Sequence, residues 1–383
     1  MPIFDQGYQH WSGQLSGHGW RSLAIARHGV RVGLKGRVLR MVLLAAWLPA
    51  LALAVTLCLW GLVERKASFV ASLSQFLSFF GSKFLDDPRH YRVEIWTLCY
   101  SMFFWLQLRL AMILILLVGP SLISQDLRFN ALPLYFSRPL RRIDYFVGKL
   151  GVIAVFLGRI IILPSLIAYV LGLLFSLDIT IIRDTFRILL ASLVYGLVIT
   201  LSAGLLILAL SSLSRNSRYI ALCWLGIWFV SGIVATLLQE TERSQRRQEV
   251  YQRTMEIQRK QVAANPAGRS PDDRRRRDRP LMDEQRTAWA KMQADDLRAL
   301  KTSWRPMVSY VGNLSRIGRQ LLGSDRCVES LSRLLPPDVG QQFLVENMGP
   351  QYPWGWSAGV LAGLVGISAC VLKMNIKSLD RLK

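Results

Sequence analysis

The sequence predicts an all-α integral membrane protein with about six transmembrane helices, because its composition is apolar and basic at once. Of the 383 residues, 52% are hydrophobic, and the formal net charge is +22. Membrane-spanning helices require the apolar residues, and Lys and Arg collect in the loops beside them. The basic residues lie between long hydrophobic runs, which disfavours nucleic-acid binding as their purpose. The 5 cysteines and 4 histidines show no metal-ligand spacing, so no metal is expected.

Six hydrophobic runs are long enough to form transmembrane helices. A helix needs about 20 apolar residues to cross a hydrocarbon layer about 30 Å thick. The runs that meet this requirement cover residues 41–63, 98–123, 150–176, 187–212, 219–239 and 354–374. Only the short polar link from Ser214 to Arg218 separates the fourth run from the fifth, which predicts a tight helical hairpin.

Charge in the loops predicts how these helices are oriented. Lys and Arg are concentrated in residues 1–40, in the loop 124–149, in the fourth-to-fifth link and in the C-terminal tail. Short loops rich in these residues stay on the cytoplasmic side of a membrane. We therefore expect a multi-pass protein of the cell (inner or plasma) membrane with both termini in the cytoplasm.

A basic amphipathic helix is predicted before the first span, within the cytoplasmic segment 1–40. Apolar residues fall near one side of a helical wheel, and basic residues repeat on another. The apolar set is Leu23, Val30, Leu34 and Val38, and the basic set is Arg27, Arg31 and Lys35. A helix with these two faces suits the headgroup region of a membrane.

The segment 240–353 is predicted to be a charged, extracytoplasmic insertion between helices 41–239 and the last helix. Its first part, 240–305, is densely charged and net basic. Long loops cross the membrane largely regardless of charge, so the charge does not oppose this location. Residues 240–262 and 282–302 have the composition of polar helices in a solvated, partly disordered region. Residues 354–383 then form the sixth span and a cytoplasmic tail.

Two arginines interrupt the apolar runs, Arg109 in the second and Arg159 in the third. A charge at mid-membrane costs about 2.5–3.5 kcal/mol on insertion scales. Each arginine is therefore expected either to face the protein interior, as a pathway or pairing residue, or to reach the headgroups. No catalytic residue is predicted, because all histidines lie outside the runs and no motif of intramembrane hydrolysis occurs.

The loop 124–149, between the second and third runs, is the most informative segment. Asp126 and Arg128 open it, Ser137-Arg138-Pro139 follows, and Gly148-Lys149 leads into the third run. Between them, residues 134–136 are too short to span a membrane and too apolar for a free loop. They are expected to lie on the membrane surface or to be buried against another protein.

This loop resembles that of ABC-2-type transporter permeases, in which a charged residue after span two is followed by Ser-Arg-Pro, an Arg-aromatic stretch and Gly-Lys. The resemblance extends over most of the chain, from Gly-Tyr-Gln-His-Trp at 7–11 to the final basic segment 377–383. In that family, the pre-span helix and this loop touch a separate ATPase subunit. The resemblance thus implies that five residues help to transmit ATP-driven movement: Asp126, Arg128, Ser137, Arg138 and Pro139. The alternative is that they only anchor the loop at the headgroups.

The resemblance also implies the partners of the chain. They are an ATP-binding subunit and a second permease protomer, identical or different, in an exporter within a lipid membrane. The chain lacks the G-x-x-x-x-G-K-[S/T] loop that holds nucleotide phosphates, so no cofactor is expected on it, and ATP and Mg²⁺ would be bound by the partner subunit. No residue selects a substrate. The alternative function is a membrane anchor or scaffold that uses 240–353 for partner binding and needs no ATPase.

Overall fold

The computed structural model confirms the all-α membrane fold, and the residues that it describes include no strand. It describes residues 18–65, 89–136, 140–176, 180–263, 301–335 and 337–379, together with residues 287, 294 and 298. The predicted motif at 7–11 and most of the predicted helix 282–302 lie outside these residues.

Six described helical segments are long and apolar enough to cross a membrane, which confirms the six predicted spans. Spans one to six are Arg37–Glu64, Arg92–Arg128, Arg142–Ser176, Thr180–Leu213, Ser217–Glu249 and Trp354–Asn375. Each contains or overlaps one of the predicted apolar runs, and the polar residues at the helix ends extend it. The hairpin between spans four and five is also confirmed.

The described parts of the spans and their connections contain fifteen α-helices, which we number in chain order. In chain order these are α1 (His18–Gly33), α2 (Arg37–Ala45), α3 (Trp47–Glu64), α4 (Arg92–Val118), α5 (Ser121–Arg128), α6 (Leu132–Phe136), α7 (Arg142–Leu157), α8 (Leu163–Ser176), α9 (Thr180–Leu213), α10 (Ser217–Leu225), α11 (Ser231–Ala263), α12 (Tyr310–Leu322), α13 (Ser324–Ser332), α14 (Pro337–Asn347) and α15 (Trp354–Leu379). Turns of π-helix, Gly158–Ile162 and Gly226–Val230, join α7 to α8 and α10 to α11. The polar helix predicted over 240–262 is the second half of α11.

Span two breaks at Gly119–Pro120, between α4 and α5, and a side chain of span four repairs the break. The first amides of a helix have no partner within it. Ser211 of α9 accepts hydrogen bonds from the amides of Ile123 (3.1 Å) and Ser124 (3.0 Å). The same hydroxyl donates to the carbonyl oxygen of Pro120 at 3.0 Å. The break is therefore a joint at which α5 is attached to span four.

Span three contains a similar joint before Pro164. A proline has no N–H to donate to the carbonyl four residues earlier, here that of Ile160. Gln107 of span two, which is fully buried, donates its side-chain amide to this carbonyl at 2.6 Å. The π-helical turn Gly158–Ile162 lies at this point. The polar backbone atom is thus satisfied by a neighbouring span, as an apolar surrounding requires.

A buried ion pair joins the first four spans at the end of the bundle that lies farthest from α5. We call this the Arg92 end. Arg92 and Glu64 have side chains only 2% and 3% exposed and form two hydrogen bonds, of 2.9 and 3.0 Å. Glu64 also accepts a bond from Ser176 at 2.8 Å. Arg92 donates to Thr180 and Asp184, both at 3.2 Å. One network therefore holds the ends of spans one and three and the starts of spans two and four.

The helix before span one packs on α7 through glycines of both helices. A Cβ atom at Gly29 of α1 would lie 2.5 Å from Val152. Conversely, a Cβ atom at Gly148 of α7 would lie 2.8 Å from that of Ile25. Such distances are too short for real side chains, so the two backbones approach as closely as they do only because both positions lack a Cβ atom.

The face of α1 that packs on α7 is not its predicted apolar side. Leu23 of α1 is 55% exposed and Val38, which lies in α2, is 61% exposed, whereas the face against α7 contains Ala26 and the glycines. Close packing of two backbones selects the smallest face of a helix, and hydrophobicity alone does not identify that face. The predicted basic residues Arg27, Arg31 and Lys35 are exposed.

The second part of the predicted insertion is packed into the bundle. The ring of Tyr310 lies 6.1 Å from that of Trp224 in span five, and its hydroxyl is 3.0 Å from that of Ser202 in span four. Other residues of α12 are buried as well, namely Asn313, Leu314, Arg316, Gly318 and Leu322. The segment 240–353 is therefore not solvated throughout, although its extracytoplasmic location stays a prediction.

Removing the guanidinium of the Arg92 network should destabilise the bundle. In an Arg92→Ala variant, the Glu64 carboxylate would stay buried without its counter-ion, which typically costs about 3–5 kcal/mol. We expect a markedly lower unfolding temperature in detergent. Arg183→Ala removes an exposed arginine of span four and should have little effect. Equal losses in the two variants would show that the network does not hold the spans together.

Adding a methyl group at Gly148 should weaken the packing of α1 against α7. In Gly148→Ala, the new Cβ atom would meet Ile25 and the backbone of Ser22. The matched control is Gly158→Ala, because nothing lies within 4 Å of a Cβ atom there and alanine is about 1 kcal/mol better than glycine in a helix. We expect limited proteolysis to release α1 faster in Gly148→Ala alone. Unchanged cleavage would contradict the glycine packing.

Candidate functional site

The structure describes only part of the predicted coupling loop. Asp126 and Arg128 lie in α5, which continues span two after the break. Ser137, Arg138 and Pro139 lie outside the described residues. The predicted loop 124–149 is also more helical than expected, because the second half of α5, all of α6 and the first two turns of α7 fall within it.

Asp126 bonds α5 to α7. Its carboxylate lies 2.6 Å from the ammonium of Lys149 and accepts a hydrogen bond of 2.6 Å from the hydroxyl of Tyr145. Lys149 also donates to the carbonyl oxygen of Leu122 at 2.6 Å. The charged side chains are largely enclosed, with exposures of 15% for Asp126 and 11% for Lys149. Asp126 therefore points inward and holds the segment to span three.

A helix ending determines the direction of α6. Asn130 has a φ of 49°, in the left-handed region that asparagine tolerates better than most residues. Around it, the amide of Ala131 donates to the carbonyl of Asp126 at 2.9 Å. This hydrogen bond joins the first and last of six residues and defines the Schellman motif, in which a left-handed residue ends a helix. The chain then enters α6 immediately, with Leu132 buried.

The other side of this segment is an exposed surface that is both apolar and basic. Phe129 and Leu134 are each 73% exposed, and the guanidinium of the exposed Arg128 lies 5.7 Å from the ring of Phe129. Tyr135 is half-buried, and this burial, followed by the charge of Asp126, raises the pKa of its phenol. We call Arg128, Phe129 and Leu134 the α5–α6 surface.

Neither arginine of the apolar runs faces the interior of this chain. Arg109 is exposed on span two, where its guanidinium lies 3.7 Å from the centre of the Trp105 ring and donates to the Trp105 carbonyl at 2.7 Å. Arg159 is exposed at the π-helical turn of span three. Within this chain, the exposed Arg109 and Arg159 do not line an interior pathway. Their predicted roles as pathway or pairing residues stay a prediction.

Sequence reasoning missed the residues that connect this site to the spans. In the sequence, Lys149 is only the second residue of Gly-Lys, and no pattern distinguishes Tyr145 or Ser211. A hydroxyl group in an apolar helix carries no periodic signal that would distinguish it from a residue used for packing. The excess of such groups at one end of span four, with Ser211 and Ser212 in sequence, is the only hint.

The chain is similar to a known family of transport proteins. A family described as "ABC-2 family transporter protein" matches residues 24–264, more than half of the chain. The matched part runs from α1 to the end of α11 and includes the α5–α6 surface. No curated protein and no solved structure matches the chain.

Neutralising Asp126 should loosen α5 without disturbing the Arg92 end. Asp126→Asn removes the negative charge and leaves Lys149 partly enclosed without its ion pair, at a cost of roughly 1–3 kcal/mol. Hydrogen exchange should speed up over 121–128 and stay unchanged near 92. Arg128→Gln, which alters an exposed side chain, is the control. If protection over 121–128 persists in Asp126→Asn, the bond to α7 does not hold the segment.

Proposed function

Because the chain belongs to the ABC-2 family of transporter proteins, we propose that it forms the membrane pathway of an ATP-driven exporter and is moved by a separate ATPase subunit. Family membership makes it a membrane-spanning transport component. The proposal adds the direction of transport and the place at which the ATPase acts. ATP and Mg²⁺ would be held by the partner.

The observation that carries the proposal is the α5–α6 surface together with its attachments. An exposed cluster of large apolar side chains beside an arginine suits burial against a protein partner. The same segment is bonded to span three by Asp126 and Lys149 and to span four by Ser211. A push on this surface would therefore move two spans together instead of bending a loose loop.

The pre-span helix α1 is a second element through which the ATPase could move span three, because α1 packs on α7. Arg27 and Arg31 are exposed on α1, while its opposite side packs on α7 through Gly29. Since Asp126 also binds α7, a partner that touched both α1 and the α5–α6 surface would act on one receiving helix. The predicted contact residues Ser137, Arg138 and Pro139 belong to this proposal, on sequence grounds.

The second permease protomer would complete the pathway. Within the described chain, spans one, five and six are poorly covered, with 22%, 17% and 22% of their apolar windows buried, against 61% for span four. Arg109 is exposed on the outer side of span two, and a charge facing hydrocarbon there would be costly. A pathway between two permease chains would place this guanidinium in a polar surrounding.

The scaffold alternative receives no support from the structure. It relied on 240–353 as a region that is free to bind partners. The part of this region that begins at Arg305 packs against spans four and five, as Tyr310 shows. We therefore propose the permease alone.

The proposal is tested first by purifying the tagged chain in a mild detergent and identifying its partners by mass spectrometry. We expect a protein with a phosphate-binding ATPase loop, whose hydrolysis depends on this chain. Leu134→Glu should weaken co-purification at least about tenfold, equivalent to ~1.4 kcal/mol, since it would bury a carboxylate at the contact.

Leu213→Glu is the matched control for that variant. Leu213 is 61% exposed at the link between spans four and five, outside the α5–α6 surface, and its replacement should leave binding intact. In addition, Arg138→Glu should uncouple transport or assembly without preventing membrane insertion. Normal export with full ATPase stimulation in Leu134→Glu and Arg138→Glu would refute the coupling role of this segment.

A further inference from the structure

Arg109 places a positive charge near the middle of span two. The apolar run 98–123 contains no other charged residue. Along the chain, Arg109 lies midway between Arg92 and Asp126, which belong to ion pairs at the two ends of the bundle. A helix rises about 1.5 Å per residue, so Arg109 lies about 25 Å from Arg92 along span two. The charge is therefore deep in the membrane.

The guanidinium of Arg109 is held at this depth by a single neighbouring residue. It lies 3.7 Å from the centre of the Trp105 ring and donates to the Trp105 carbonyl oxygen at 2.7 Å. Trp105 is one helical turn away, so these contacts keep the guanidinium within the apolar run instead of extending it to a headgroup. A guanidinium stacked on a ring face still presents N–H donors at its edge.

Arg109 lies on the outer side of span two. The fully buried Gln107, two residues earlier, points to span three. The carbonyl oxygen of Met112, on the next turn, accepts a hydrogen bond from the Trp224 indole of span five at 3.1 Å. Exposed on the same span are Met102, Trp105 and Leu106. Since a charge that faced hydrocarbon at this depth would be costly, the position of Arg109 suits a pathway and does not suit a lipid contact.

The parts of the chain that cross the membrane supply no acid at this depth. None of the six apolar runs contains Asp or Glu. A second copy of the chain that crossed the same membrane would therefore bring apolar residues and its own Arg109 to the pathway. An anion at this depth has to come from a ligand.

A second arginine strengthens the positive potential at the same depth. Gln107 of span two donates to the carbonyl oxygen of Ile160 in span three at 2.6 Å, so these two residues are level in the membrane. Arg109 and the exposed Arg159 each lie within two residues of this bond. In a medium of low dielectric constant, two positive charges at one depth attract an anion and repel a cation.

We propose that the molecule transported by this chain carries an anionic group, a phosphate or carboxylate, and that Arg109 binds this group in the middle of the membrane. The planar guanidinium fork matches two oxygens of such a group. A cationic substrate would be repelled, and a neutral one would form no ion pair. The inference rests on the proposed function, because it assigns a substrate class to the pathway between permease chains.

Photolabelling tests this proposal on the full chain, in the oligomeric state in which it purifies, in nanodiscs of phosphatidylcholine without ATP. One probe is an alkyl phosphate with a diazirine in its chain, and the other is the alcohol with the same chain. Labelling of span six around the exposed Ile367 measures the amount of probe in the bilayer. Relative to this reference, we expect the phosphate to label residues 102–113 at least about tenfold more strongly than the alcohol, equivalent to ~1.4 kcal/mol. Equal labelling would overturn the proposal.

Variants assign the binding to the guanidinium. Arg109→Gln should abolish the preference for the phosphate probe, whereas Arg183→Gln, at an exposed arginine of span four, should retain it. If Arg109→Gln fails to fold, Arg109→Lys replaces it. The lysine keeps the charge but loses the planar fork, so it should bind the phosphate probe more weakly than the wild type does. Undiminished labelling in the variant of Arg109 that folds would contradict the assignment.

Competition identifies the source of the anionic group. Glycerol phosphate is added against sodium chloride at matched ionic strength. Displacement of the alkyl phosphate would support a water-soluble anionic substrate, and retention of the probe would support an anionic amphiphile. Probe binding requires no ATP hydrolysis. A chain that co-purifies with an ATPase but shows no preference for phosphate would therefore refute the anionic substrate alone and leave the proposed function standing.

Discussion

A carboxylate at the end of one membrane span and a guanidinium at the start of the next can be enclosed only together, and this condition determines the Arg92 end of the protein. Each removed from water alone would cost several kcal/mol. Glu64 therefore accepts bonds from Arg92, Trp60 and Ser176, which satisfy both of its oxygens. Because these donors come from spans one, two and three and Arg92 continues to span four, the positions of four helix ends are determined jointly.

The same rule applies where spans two and three are broken near a proline. Each freed backbone group is satisfied by a side chain of another span, Ser211 at the α5 end and Gln107 near the middle of the bundle. A helix break repaired in this way connects two spans. The Arg92 end is thus held by a network of charged groups, whereas the α5 end combines a helix break and the Asp126–Lys149 ion pair with exposed side chains.

The requirement to satisfy buried polar groups also fixes α12. The guanidinium of the buried Arg316 pairs with Asp325 at 2.8 Å and donates to the carbonyl oxygen of Tyr352 at 2.8 Å. Arg316 therefore bonds α12 both to α13 and to the connection that leads into span six.

The amino-acid sequence is enough to predict the six spans and the hairpin, because hydropathy over about 20 residues is a local property. Its motifs carry the family resemblance and locate Asp126 and Arg128, but not the directions of their side chains. The folded chain shows that Asp126 points inward to Lys149, that Arg109 points outward, that glycines form the packed face of α1, and that α12 is buried. Contacts of this kind join residues that are distant in the chain, as Glu64 and Ser176 are, and such pairs follow no sequence period. A glycine in a helical segment likewise indicates either a helix break or a close helix contact, and only the position of its neighbour distinguishes the two.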